Sequence, residues 1–129
     1  MLLAAADRSD PDHGACRKLL EAHPGPLVTT GLVIAETGWL IDRQLGAAAE
    51  AALYESAAAG EIRIEPLSAA DWARIAALTI QYADQHVGGV DSSLVAIAER
   101  LGASSIGTLD RRHFSVVRPQ HIIGFELLP

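Results

Sequence analysis

Leu27-Val28-Thr29-Thr30-Gly31-Leu32-Val33-Ile34-Ala35-Glu36 is the stretch that decides how this chain folds. Its first four residues are partly β-branched and follow the turn-forming run His23-Pro24-Gly25-Pro26, which predicts a short buried strand. Thr30 or Thr29 is placed to accept a hydrogen bond from a free N–H at the start of a helix over 32–44. Leu32, Val33, Leu40 and Ile41 recur along that helix at near-helical spacing, and Leu45-Gly46 closes it. A strand feeding directly into a helix is the first half of a βαβ unit.

The same alternation continues on both sides. Upstream, Asp10-Pro11 offers a cap and a first-turn proline for a helix that carries Cys16, Leu19 and Leu20. Downstream, an Ala-rich helix over 48–58 leads to Ile62-Arg63-Ile64-Glu65-Pro66-Leu67, whose alternation predicts a strand. Ser68 and Asp71 form a capping box in its shorter acidic form, opening a helix that carries Trp72, Ile75, Leu78 and Tyr82 to about residue 84. After His86-Val87-Gly88-Gly89 comes a helix over 90–101, stopped by Gly102, then strands over 105–109 and 125–128. Short strands between helices imply a mainly parallel sheet, which places functional groups beyond the carboxyl ends of its strands.

Composition narrows the function. The 129 residues suit one domain, and with 50% hydrophobic residues the chain can bury a sizeable core. A formal net charge of −6 argues against a simple DNA-binding module, because no global basic field attracts the polyanion. It does not argue against a metal-dependent nuclease, whose clustered carboxylates make the sum more acidic. Met1-Leu2-Leu3-Ala4-Ala5-Ala6 lacks a basic region and runs into Asp7-Arg8-Ser9-Asp10, a poor signal peptide, and no charge-free run is long enough to span a bilayer. The lone Cys16 excludes an internal disulfide and fits a reducing, cytoplasmic compartment.

Three acids stand where the sheet rule directs attention. Glu36 is flanked from Leu32 to Trp39 by apolar or small residues, where a lone carboxylate is costly without a partner or a metal, though it could equally be an exposed helix glutamate. Asp91 follows Gly88-Gly89-Val90 at a helix start, where it could equally be a simple cap. Asp110 ends the apolar run Ile106-Gly107-Thr108-Leu109, where it could equally be a turn residue. Taken together they point to a divalent-ion site whose all-oxygen ligands select Mg²⁺ or Mn²⁺ over Zn²⁺. The five histidines, at positions 13, 23, 86, 113 and 121, are scattered, and neither a Walker-type phosphate loop nor a nucleophile elbow is present. Arg111, Arg112, His113 and Arg118 form the one local basic concentration, which could equally be an ordinary solvated turn. Ser92 and Thr108 could support the ligands as neighbouring hydroxyls or merely satisfy backbone groups. Trp39, Trp72 and Tyr82 fall at helical apolar positions and are expected in the core or an interface.

These segments, in this order, resemble the PIN-domain family, specifically the toxin half of VapBC toxin–antitoxin pairs. Leu2-Leu3-Ala4-Ala5-Ala6-Asp7 with Ser9-Asp10-Pro11-Asp12-His13 is similar to the segment just after the family's first strand. Val33-Ile34-Ala35-Glu36 resembles its second acidic motif, Gly89-Val90-Asp91-Ser92-Ser93 the third, and Thr108-Leu109-Asp110-Arg111-Arg112-His113-Phe114 the fourth. The resemblance implies a three-layer α/β/α fold about a mainly parallel central sheet, as a single PIN-like domain over 1–129. It implies a Mg²⁺- or Mn²⁺-dependent endoribonuclease that leaves a 5′-phosphate and a 3′-hydroxyl. Glu36, Asp91 and Asp110 would be both catalytic residues and metal ligands, Arg111 and Arg112 would contact RNA, and a cognate VapB-type antitoxin would suppress activity. The Ala-rich helices favour a homodimer or a groove for a partner helix. The family's first acid lies at the end of a first strand that precedes a stretch like Leu2-Leu3-Ala4, so this sequence is N-terminally short of it, and Asp7 falls too late to replace it. The expectation is weakened metal binding and low or absent activity. The alternative is an inactive PIN-like toxin that binds its antitoxin without cleaving RNA. A response-regulator-like phosphatase would want a lysine in a late strand-end loop, and the only lysine, Lys18, lies in the first helix.

Overall fold

The computed structural model describes all residues, Met1–Pro129. They form two compact units, Met1–Glu65 with Pro129 and Pro66–Leu128. The first contains α1 (Leu2–Ala6), α2 (His13–Ala22), β1 (Leu27–Thr30), α3 (Gly31–Leu45), α4 (Ala47–Ala58) and β2 (Ile62–Glu65). The second contains α5 (Ala69–Gln81), a 3-10 turn (Ala83–Gln85), α6 (Gly89–Leu101), β3 (Ser105–Gly107), α7 (Arg111–Val116) and β4 (Glu126–Leu128).

In the first unit β1 runs parallel to β2, with Leu27 opposite Ile62 and Thr30 opposite Glu65. The helices α3 and α4 make the crossover that parallel pairing requires. Thr30 proves to be the cap, its hydroxyl accepting from the Val33 amide at 3.3 Å. Ile34, Ile41, Leu53 and Ile62 form the core of this unit, with Leu2 and Leu3 of α1 packed against it. The α3–α4 packing explains Gly38, since a methyl group there would run into the Tyr54 hydroxyl, which donates to Glu50 at 2.7 Å.

In the second unit β3 runs parallel to β4, pairing Ser105 with Glu126 and Gly107 with Leu128. Both ladders are therefore parallel, as expected, and they form two two-stranded pairs. Leu78, Val87, Val95, Ile106, Phe114 and Val117 make the core. The Ser68–Asp71 capping box is complete: the Ser68 hydroxyl accepts from the Asp71 amide, and the Asp71 carboxylate accepts from the Ser68 amide. Gly102 closes α6 at φ +68°, where a side chain would be strained.

Two ion pairs tie α5 to α6. Arg74 donates Nε and Nη2 to the two oxygens of Glu99, each at 2.8 Å, and Glu99 Oε1 also accepts the Gln120 amide at 2.9 Å. Arg100 Nε reaches both oxygens of the buried Asp71, at 3.1 and 3.0 Å. Burial alone would raise the Glu99 carboxyl, but Arg74 and the Gln120 amide outweigh it and hold the group below its ordinary value. Burial likewise opposes ionisation of Asp71, and the Ser68 and Arg100 donors overcome it.

Several local expectations change. The helix expected at Asp10-Pro11 begins at His13, because Asp10 spends its carboxylate on the Asp12 amide in a turn. The strand over 105–109 ends at Gly107, and Asp110 opens the unforeseen helix α7. Trp39 and Trp72 are not core residues: they are 55% and 50% exposed, with the Arg43 guanidinium 4.9 Å from the Trp39 ring. Tyr82 does pack against the second unit's core, its hydroxyl accepting from the Arg118 amide at 3.0 Å. Cys16 is fully buried, and that burial pushes its thiol up. No helix is long and apolar enough to cross a membrane.

Candidate functional site

The second unit brings two of the three acids to one point. Asp91 lies in the first turn of α6, a few residues after Gly88-Gly89. Asp110 is the N-cap of α7, just beyond β3. His113 Nδ1 is 2.8 Å from Asp91 Oδ2 and 3.3 Å from Asp110 Oδ2. One ring nitrogen thus spans two carboxylates that are 19 positions apart in the chain.

Each acid is held by a distinct local cause. Asp110 Oδ1 accepts the Arg112 amide at 3.1 Å and the His113 amide at 3.4 Å, satisfying two open donors of α7. The Asp110 amide in turn donates to Thr108 Oγ1 at 3.0 Å, so Thr108 positions the backbone that carries the acid. Asp91 needs no capping role, since Gly88 is the N-cap of α6. Its side chain is a quarter exposed and that of His113 is 14% exposed, so the pair sits at the edge of the core rather than within it.

Glu36 belongs to the first unit. It lies on α3, is exposed, and makes no hydrogen bond or ion pair, while Ile34, Thr37, Gly38 and Ile41 are the buried residues of that helix. The expectation that its apolar neighbours desolvate it is therefore corrected: Ile34, Thr37 and Gly38 face inward, while Glu36 shares the exposed side with Ala35 and Trp39, so its charge needs no buried partner.

His113 is the residue that sequence reasoning misplaced. Read as part of a basic run, its ring instead meets the two acids. A signal was present: Asp110 and His113 are three positions apart, the spacing that shares a face once the segment is helical. The contact with Asp91, 22 positions away, had no such local trace. Arg112 Nη2 lies 3.4 Å from His113 Nε2, and Arg118 Nη1 donates to the Ser115 carbonyl at 2.8 Å. Arg111 and Arg112 are exposed on the first turn of α7.

Ser92, beside Asp91, is fully buried and its hydroxyl has no hydrogen-bond partner. It therefore does not orient a ligand. Ser92→Ala should leave the melting temperature unchanged or raise stability by about 1 kcal/mol, by removing an unsatisfied buried group. A fall of several degrees in a thermal melt would show that the hydroxyl has a partner in solution.

The donor chemistry of the Asp91–Asp110 pair fits a hard divalent cation, since both side chains offer carboxylate oxygens and neither is locked into an arginine pair. The His113 ring donates to Asp91 and lies against Asp110 instead of joining them as a third ligand, and no three His, Cys, Asp or Glu side chains are arranged to hold a metal ion together.

Parallel βα units that carry one acid just beyond β3 and a second in the first turn of α6 define an α/β domain of the PIN class, and the chain belongs to the PIN domain family, whose profile matches residues 1–118. It is similar to ribonuclease VapC26 of Mycobacterium tuberculosis (strain ATCC 25618 / H37Rv), being 36% identical over 128 residues, 99% of this chain and 95% of that one. Its structure is similar to the crystal structure of Mycobacterium tuberculosis VapC20, a sarcin–ricin loop cleaving toxin. The TM-score is 0.75, with 21% identity over 81% of this chain and 80% of the other.

Proposed function

We propose that this chain is the ribonuclease toxin of a toxin–antitoxin pair, a cytoplasmic endoribonuclease that hydrolyses RNA phosphodiester bonds with Mg²⁺ or Mn²⁺. The convergence of Asp91 and Asp110 on one ring nitrogen is the observation that carries the reading, because two carboxylates so close are the beginning of a hard-cation site. The 36% identity to a ribonuclease supports RNA as the substrate class.

In this reading residues 1–129 work as one PIN-like domain, and Glu36 joins Asp91 and Asp110 as catalytic residue and metal ligand on the strength of its motif. A bound divalent ion would supply an activated water and neutralise charge at the phosphate. Arg111 and Arg112, on the first turn of the helix that Asp110 caps, hold RNA phosphates beside the acids. Either carboxylate can accept the proton of the attacking water. A VapB-type antitoxin restrains the activity, and the chain acts as a homodimer.

Cleavage of total RNA by the purified chain in Mn²⁺, against the same reaction with excess chelator, tests this. Metal-dependent endonucleolytic products support it, and intact RNA in both reactions refutes it. A second reading, an antitoxin-binding toxin that cleaves nothing, draws on the absence of a gathered three-ligand group. It predicts no calorimetric Mn²⁺ binding.

A further inference from the structure

We propose that His113 is a positioning residue that holds Asp91 and Asp110 together for a divalent cation; this rests on the ribonuclease reading above. Both carboxylates contact one nitrogen, at 2.8 and 3.3 Å, so the contacting oxygens lie within about 6 Å of each other. At an effective dielectric near 20, two unit charges at that separation repel by about 3 kcal/mol. An N–H placed between them offsets that repulsion and fixes both side chains in one arrangement.

The ring has the geometry for this task. A guanidinium only donates, so the Arg112 Nη2 contact with Nε2 makes Nε2 the acceptor and puts the ring proton on Nδ1, facing the acids. The ring's position is set by α7, whose next residue, Phe114, is 3% exposed in the core of this unit. Asp110 is held through Oδ1 by the amides of α7, and its Oδ2 lies 3.3 Å from the ring nitrogen. Asp91 is held only through Oδ2, and its Oδ1 makes no protein hydrogen bond. A carboxylate has about four lone-pair sites, so the ring's bond to Asp91 and its close contact with Asp110 leave each acid able to take a cation. A hydrogen bond from behind a ligating carboxylate orients it and holds it ready before the ion arrives.

The test is Mn²⁺ titration of the full chain, read from the paramagnetic resonance signal of free Mn²⁺, with thermal melts alongside. His113→Ala should weaken Mn²⁺ binding by roughly 10- to 100-fold, the usual cost of losing such a partner. His113→Asn keeps an N–H donor near the Nδ1 position and should restore most of the affinity. His113→Gln, equally polar but with its amide displaced toward the Nε2 position, should not. The Asn–Gln contrast separates positioning from bulk structure even if the alanine variant folds poorly. Unchanged or tighter binding by His113→Ala overturns the assignment, as does equal behaviour of the two amides. Absence of Mn²⁺ binding by the unaltered chain would instead sink the ribonuclease reading itself.

Discussion

On the ribonuclease reading, Asp91→Asn and Asp110→Asn should each slow metal-dependent RNA cleavage roughly a thousandfold while leaving the chain folded. Asparagine keeps the size of the side chain and an acceptor oxygen. Asp91→Asn can therefore still accept from His113, and Asp110→Asn can still cap α7, a role in which the two residues are about equal. What is lost is the negative charge that a divalent ion requires. Losing a partner behind a ligand costs roughly 10- to 100-fold in affinity, so losing the ligand itself should exceed about 100-fold. The cation supplies several kcal/mol at the transition state, so a loss of about 4 kcal/mol slows cleavage roughly a thousandfold. Calorimetric Mn²⁺ titration and RNA cleavage, each paired with a thermal melt, measure this directly. Either variant binding Mn²⁺ like the unaltered chain, with an unaltered melt, removes that acid from the site. Glu36→Gln is the informative companion. Glu36 has no hydrogen bond or ion pair to lose, so stability should not change, and any loss of affinity reports metal ligation alone.

Glu99→Ala is expected to be the most destabilising single change among the charged residues. The Glu99 side chain is 10% exposed and accepts two bonds from Arg74 and one from the Gln120 amide. Its removal strands a guanidinium whose side chain is 19% exposed and an amide together, a loss of about 3 kcal/mol for breaking a largely buried pair. In a chain of this size that lowers the melting temperature by on the order of 10 °C. Arg74→Ala with Glu99→Ala should cost less than the sum of the two single changes, since neither partner is then left alone. Additivity in that double-mutant cycle would show the pair to be uncoupled.

The same carboxylates set the acid limit. Glu99 and Asp71 are both held below their ordinary values of 4.5 and 3.8. A depressed carboxyl contributes stability that is fully present above its unfolded value and is lost as pH falls through its lower folded value. Melting temperature should therefore decline as pH drops below about 4.5, first through Glu99 and then through Asp71. Glu99→Gln should flatten the upper part of that decline, and an unchanged pH profile for this variant would contradict the assignment.

What the sequence determined by itself is what depends on neighbours within one helical turn or one strand. The β1–α3 junction capped by Thr30, the Ser68–Asp71 box, the stop at Gly102 and the start of α6 just before Asp91 all follow from backbone donors and side chains a few residues apart. The positions of Asp91 and Asp110 at or near element starts were legible for the same reason. The short helix α7 was not, because its six residues begin in the charged run Arg111-Arg112-His113. It is the burial of Phe114 and Val117, together with the Asp110 cap, that makes it helical.

Tertiary structure alone decided which way side chains face. An Ala-rich helix such as α4 is apolar nearly all round, and α3 has more apolar residues than its buried face can hold, so pattern cannot say which are inside. Packing put Trp39 and Trp72 in solvent, left Glu36 exposed, paired Arg74 with Glu99 across 25 positions, and turned His113 onto Asp91 across 22. Contacts of that range form only once distant segments are buried against each other, and no local spacing encodes them.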